Sequence, residues 1–446
     1  MKMNNAKLFL NICKTNIRTI STKRRKYPLD PEGVNQLPVF DYAVSKSTYN
    51  RLFVWGAVPT GALGIPYQTK DLKRIEQIRY PKRSSLAEYN EVTKIGCGFG
   101  FTAFGVNSDS NVKLYGTGLN TDSQLGYHEV RTNKPLGILY FPQPIHLPFM
   151  NPEKATIKKL SGGRAHFVVL TNEGLFLLGN NAYGQCGRSI IADECYSGNK
   201  FIHHIKNIDG KAVIDIQCGQ DHTLAITEDG AVYSCGWGAD GQTGLGHFNC
   251  QDQFTKVQGD IASERILKVA SRSDFVLALN DKGEVFGWGN TEYAQLSLKD
   301  DIQQIANPTS IEMCKSLGKI KDIASGGSFC VVLTEEGRVF VWGYGILGTG
   351  PAVQYSKTPL EIPLTLFGVN DFQPDTQVKS VTCGVNHICA VTNNGDLYTW
   401  GRNKGGCLGL KDDKDQYFPL RVAISGYVKH TACGVDHTVA LCKPFI

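Results

Sequence analysis

The sequence predicts an all-β, seven-bladed propeller, and three observations predict it: a Gly-anchored strand that recurs along the chain, a second strand ending in Trp-Gly or a decayed version of it at a near-fixed distance, and two unmatched half-repeats at the chain ends. The clearest copy is Cys218-Gly219-Gln220-Asp221-His222-Thr223 followed by Val232-Tyr233-Ser234-Cys235-Gly236, and a late one is Cys383-Gly384-Val385-Asn386-His387 followed by Leu397-Tyr398-Thr399-Trp400-Gly401. From the first anchor to the second Gly is 17 residues in the copies beginning at Gly219, Arg272, Gly326 and Gly384, 16 from Gly163 and 20 from Gly98. Self-similarity at a long fixed period marks propellers and solenoids.

Within a copy the pattern is a β-hairpin. Thr223-Leu224-Ala225-Ile226 and Ala231-Val232-Tyr233 are short apolar, β-compatible runs, joined by Thr227-Glu228-Asp229-Gly230, whose Gly accepts a positive φ without a Cβ clash. The same turn chemistry returns at 171–174, 280–283, 334–337 and 392–395; the first copy departs from it, with Asn107-Ser108-Asp109-Ser110 and no Gly. Equivalent positions at 98, 163, 219, 272, 326, 384 and 434 give a period of 50 to 65 residues. With strands averaging roughly 5–6 residues, one hairpin fills about half of that, leaving room for a variable outer pair. A blade alone has two bare faces, so blades must stack into a ring. At the ends, Leu52-Phe53-Val54-Trp55-Gly56 lacks a preceding Cys-Gly strand, and Cys433-Gly434-Val435-Asp436-His437 lacks a following Trp-Gly strand. The two halves complete one another, predicting that one blade is built from both termini and closes the ring over about residues 50–446.

The leader is of a different character. Residues 1–26 hold eight Lys or Arg and no acid, with Phe9, Ile12, Cys13, Ile17 and Ile20 on one helical face and Lys7, Lys14 and Arg18 on another. That is the pattern of a mitochondrial presequence, with residues 27–49 as an extension before the propeller. Removing these eight positives from the net charge of +6 leaves about −2 for residues 27–446, so the basic pI belongs to the address and argues no DNA binding by the folded part. No apolar run reaches the roughly 20 residues needed to span a bilayer, and membrane association is expected only through a partner.

Little in the chain promises covalent chemistry. Cys97, Cys218, Cys383 and Cys433 share one repeat slot that Ser or Gly fills elsewhere, which reads as tight packing, with zinc or a catalytic thiol as the alternative. His166, His222, His387 and His437 share another slot with Phe101, Phe275 and Phe329, a half-buried, shape-driven position. Gly236-Trp237-Gly238-Ala239-Asp240-Gly241 matches the dinucleotide fingerprint formally but ends a repeat strand with no helix-forming segment after it. No cofactor, no metal, no small-molecule substrate and no enzyme reaction are expected.

With the Gln-Leu-Gly or Gly-Gln-x-Gly element that follows (Ser123-Gln124-Leu125-Gly126; Gly184-Gln185-Cys186-Gly187; Ala294-Gln295-Leu296), the two signatures resemble the regulator of chromosome condensation repeat rather than WD repeats. In that family's founding member, which exchanges nucleotide on the GTPase Ran, acidic and His residues of the Gly-x-x-His loops are implied in partner contact. Carried onto this sequence, the resemblance implies a mildly acidic rim with Arg164, Gln220, Asp221, Asp274, Asn386 and Asp436 as partner-binding residues; alternatively Asp and Asn there satisfy turn N–H groups. No segment clearly matches the founder's exchange wedge. A mitochondrial leader on such a propeller is similar to a mitochondrial branch of the family, which implies a location in the matrix or on the matrix face of the inner membrane. The first functional expectation is nucleotide exchange on a mitochondrial dynamin-like fusion GTPase. The alternative is an rRNA-associated scaffold for large mitochondrial ribosomal subunit assembly, with assembly factors and a pseudouridine synthase module as partners. The role of the Pro-rich insertion 127–159 stays open.

Overall fold

The computed structural model describes residues 49–68, 73–108, 110–296 and 302–444. The leader at 1–26 and all but the last residue of the 27–49 extension lie outside the described residues.

Seven four-stranded antiparallel sheets form the propeller. The first blade consists of Glu91–Cys97, Phe101–Asn107, Leu114–Leu119 and Ile138–Pro144, and the next five follow the same order along the chain. The seventh is composite: Tyr427–Cys433 and His437–Lys443 from the carboxyl end pair with Arg51–Ala57, which pairs in turn with Gln77–Arg83. Its seam runs from Arg51 opposite Cys442 to Gly56 opposite His437, so the unmatched half-repeats do complete each other through backbone hydrogen bonds.

Burial follows position in the blade. The second strands, such as His166–Thr171, His222–Thr227 and His387–Thr392, are buried at every residue, because neighbouring blades cover both faces. Outer strands such as Gln251–Lys256 have no fully buried residue. The core therefore lies between blades: Leu224, Ile226 and Val232 of the third blade pack with Val276, Ala278 and Trp288 of the fourth.

The tryptophans of the second signature lock these joints. Trp55, Trp288, Trp342 and Trp400 are fully buried. Each indole N–H donates to a carbonyl in the preceding blade's loop, at Cys407 (2.8 Å), Gln242 (2.9 Å), Gln295 (2.8 Å) and Leu347 (3.2 Å) respectively. The glycine that follows is forced: a Cβ on Gly236 would sit 2.5 Å from the carbonyl oxygen of Asp221.

The Pro-rich insertion divides in two. Ile138–Pro144 is an ordered outer strand paired with Leu114–Leu119, and Glu129–Arg131 with Lys134–Pro135 form a small exposed hairpin. The stray dinucleotide fingerprint lies where Val232–Gly236 runs out into turns, with no helix to meet a pyrophosphate. Among the described residues no helix is long and apolar enough to cross a membrane.

Candidate functional site

The loops between first and second strands are built by one contact repeated around the ring. In each of six blades the side chain of the His or Phe folds back over the anchor glycine, whose N–H donates to that residue's carbonyl at 2.9–3.0 Å (Gly219 to His222, Gly384 to His387). A Cβ on Gly219 would lie 2.0 Å from Cε1 of His222, and one on Gly326 would lie 2.1 Å from Cζ of Phe329. The His slot, expected to be half-buried, is fully closed: His166, His222, His387 and His437 are at most 2% exposed. The reason is a partner on the next blade. Their Nε2 atoms meet the hydroxyls of Thr223 (3.0 Å), Ser271 (3.2 Å), Thr438 (2.9 Å) and Thr102 (3.0 Å). Burial holds His166, His222 and His437 down at about 3, which makes them neutral joints rather than acid–base groups.

The residue just before each His or Phe has a backbone role of its own. The carbonyls of Asp221, Asp274, Asn386 and Asp436 accept from the N–H that follows the next strand's Gly, at Trp237 (2.9 Å), Asn290 (2.9 Å), Arg402 (2.9 Å) and Ala57 (2.8 Å). Their side chains are thereby aimed from fixed points, and among the described residues none of the four caps a turn N–H. Asp221 is instead gripped by both prongs of Arg164, at 3.1 and 2.6 Å. Asp274 accepts from Gln242 at 3.2 Å, Asp436 pairs with Lys404 at 3.0 Å, and Asn386 is exposed. The half-buried Gln220 contributes its carbonyl to the Arg164 N–H at 2.8 Å.

The expected acidic rim is therefore a mixed one. Arg164, Asp221 and Asp274 come together across the second to fourth blades, while Asn386 and Asp436 stand on the sixth and seventh. Burial pushes Asp221's carboxyl up while Arg164 holds it back. Burial, aided by Asp240, pushes Asp274 up to about 6. Sequence reasoning missed two members. Lys404 follows the sixth blade's Trp400-Gly401, and Asp240 sits inside the fingerprint set aside as a coincidence; Asp240 accepts from Gln304 at 2.8 Å. Position after the Trp-Gly signature was the available signal for both.

Cysteines sit in packing positions, as expected: Cys97, Cys218, Cys383 and Cys433 are all buried. One cluster breaks the equivalence of repeats. His387, Cys389 and Cys433 bring one ligand atom each within 4.8 Å of one another, a spacing compatible with a metal ion, and Cys389 and Cys433 sulfurs lie 3.5 Å apart. The Cys389 hydrogen bond, with His387 and Arg272 nearby, holds the Cys433 thiol well below its usual value. The repeat slots bring together only equivalent residues, whereas here unlike positions of adjacent blades meet. All three donors are fully buried, His387 is engaged with Thr438, and among the described residues no fourth ligand joins them, so packing accounts for the cluster.

Comparison with known proteins agrees with this architecture. The regulator of chromosome condensation (RCC1) repeat model matches residues 172–226, 282–333, 336–391 and 394–441. Each match begins near a blade's third strand and ends in the next blade's second, so the sequence repeat straddles the blades. The chain is 44% identical to the mouse RCC1-like G exchanging factor-like protein over 93% of this chain and 92% of that one. It is also 44% identical to the human protein of that name, over 92% and 91%. The crystal structure of human WBSCR16 superposes with a TM-score of 0.83 at 44% identity, covering 89% of this chain and 100% of that one. Yeast RCC1 (Prp20), solved bound to Kap60, matches at 18% identity with a TM-score of 0.70 over 90% of this chain and 92% of its own, a likeness of fold alone.

Proposed function

The chain belongs to the RCC1 repeat family, and from that premise we propose that it acts without covalent chemistry as a guanine nucleotide exchange factor for a mitochondrial dynamin-like GTPase of inner-membrane fusion. The observation that carries the reading is similarity along nearly the whole propeller to proteins named G exchanging factor-like. Exchange requires a surface that binds the nucleotide-free GTPase more tightly than the loaded one, since a partner shifts an equilibrium only by its differential affinity. A rim whose carbonyls are fixed by hydrogen bonds within each blade, and at Gln220 from the neighbouring blade, suits that task, because little ordering entropy remains to be lost on docking. Arg164–Asp221, Asp274 and Lys404–Asp436 supply both signs of charge on it. The mitochondrial setting rests on the acid-free, amphipathic 1–26 segment.

The test is release of labelled GDP from candidate mitochondrial GTPases by the protein lacking its leader. Acceleration is expected, and Lys404→Glu, which reverses the charge of an exposed rim side chain paired with Asp436, should weaken it with the melting temperature nearly unchanged. No acceleration, together with crosslinks to large-subunit rRNA, replaces this reading with the ribosome-assembly scaffold.

A further inference from the structure

Six of the seven blades carry glycine at the anchor position, and the fourth carries Arg272. Packing forces the glycine in the other six, so this departure needs a reason of its own. Without the anchor's geometry the fourth blade uses Ser271 instead, whose hydroxyl donates to the Phe275 carbonyl at 2.8 Å. The Arg272 side chain reaches across the ring axis. It donates to the carbonyl of Cys433 at 2.7 Å in the seventh blade, and to those of Cys97 at 3.3 Å and Gly162 at 3.5 Å in the first and second. It is only 9% exposed, and no carboxylate is among its partners in the described residues. A buried guanidinium held by carbonyls has no carboxylate to balance its charge, and it has more N–H groups than these three contacts use.

Arg272 closes one end of a cavity of about 400 Å³ along the axis, lined by the seven innermost strands. Toward the amino ends of those strands the lining gathers Lys94, Lys158, Lys159 and Lys268, against a single lining acid, Asp322. Lys268 pairs with Asp322 at 2.5 Å, and Lys159 with Asp215 at 2.5 Å just outside the lining. Setting these two acids against the five lining cations leaves three positive charges in excess, on Lys94, Lys158 and Arg272. Lys379 and Lys429 stand at the same mouth, near enough that they and Lys94 all act with burial to lower His430.

We propose that this axial channel binds a small polyanion with two or three linked phosphate groups, of nucleotide or inorganic polyphosphate size. Its phosphates would enter past Lys94 and Lys158 and end on Arg272. The cavity has the volume of an ordinary small-ligand pocket. Its three excess charges match a di- or triphosphate, and one planar fork above point charges suits tetrahedral oxyanions. The site opens at the strand ends opposite the Gly-x-x-His loops and is independent of the exchange proposal.

The probe is inorganic tripolyphosphate titrated into the full-length protein, followed by calorimetry and by melting temperature. Saturable, salt-sensitive binding that raises the melting temperature is expected. Arg272→Met and Lys94→Gln should each weaken it about tenfold, the loss of one charge-assisted contact. Lys206→Gln, away from the channel, should not. Lys94→Gln, at the open end, keeps the test decisive if Arg272→Met fails to fold. A nucleoside triphosphate in place of tripolyphosphate tells whether the base adds affinity. The proposal is overturned if tripolyphosphate does not saturate, if Lys94→Gln binds as the wild type does, or if only single-stranded RNA binds and is blind to Arg272.

Discussion

The seven innermost strands end in two different ways. At their carboxyl ends, the anchor glycine with a ring folded over it repeats in six of the seven blades, and the four imidazoles also meet a hydroxyl of the next blade. At their amino ends the residue three before the Cys slot is in turn Lys94, Lys159, Asp215, Lys268, Asp322, Ser380 and His430, following no packing rule. One end is determined by shape and the other is free to carry charge. Blades need the first to stack; only a ligand or partner gives the second a meaning. The fourth blade crosses the division, since Arg272 puts a charge where shape rules elsewhere.

The largest effect should come from breaking the shape end. Gly219→Ala places a methyl 2.0 Å from Cε1 of His222, and a ring pinned by Ser271 cannot withdraw. The expected cost is about 3 kcal/mol, as for an overpacked core. Lys158→Ala at the charge end should stay within about 0.5 kcal/mol. Denaturant unfolding of the two variants measures the contrast, and equal losses would erase the distinction.

A smaller effect sharpens it. His222→Phe introduces the residue that three blades already carry, so the ring over the glycine survives. The lost hydrogen bond to Ser271 costs about 1 kcal/mol, partly offset because the buried and unpaired Nδ1 disappears with it. A loss as large as that of Gly219→Ala would mean that the imidazole, not the ring shape, is what the slot selects.

This asymmetry also sets how much the sequence revealed. Glycine anchors, Trp-Gly ends and turn glycines each answer to a local contact that recurs, so ring, blade number and composite seam were all legible. Repetition hid the rest. His387, Cys389 and Cys433 meet only because different slots of adjacent blades face each other. Lys94, Lys158 and Lys268 are remote in the chain and converge only once the ring closes, so the net charge of about −2 concealed a basic channel. The candidate rim residues were named from their place in the repeat, yet their partners were not: Arg164 and Asp221 are 57 residues apart, and nothing in either loop announces the pair.

Asp274 gives the finest test, because it is an acid kept at the shape end. Burial first, and Asp240 second, raise its carboxyl from 3.8 to about 6, while the Gln242 hydrogen bond opposes them. The folded state thus holds this proton more tightly than the unfolded chain does. The carboxyl's contribution to stability is full below about pH 4 and is lost as pH rises through about 6. Asp274→Asn keeps a polar group toward Gln242 and removes the charge. Its melting temperature should therefore exceed the wild type's by a few degrees at about pH 7.5, and the gap should shrink toward about pH 5. A gap independent of pH would mean that Asp274 is ionised freely and that its burial is no strain on the fold. If the gap closes as expected and the variant also loses exchange activity, the rim holds an acid against its own stability, as functional sites do.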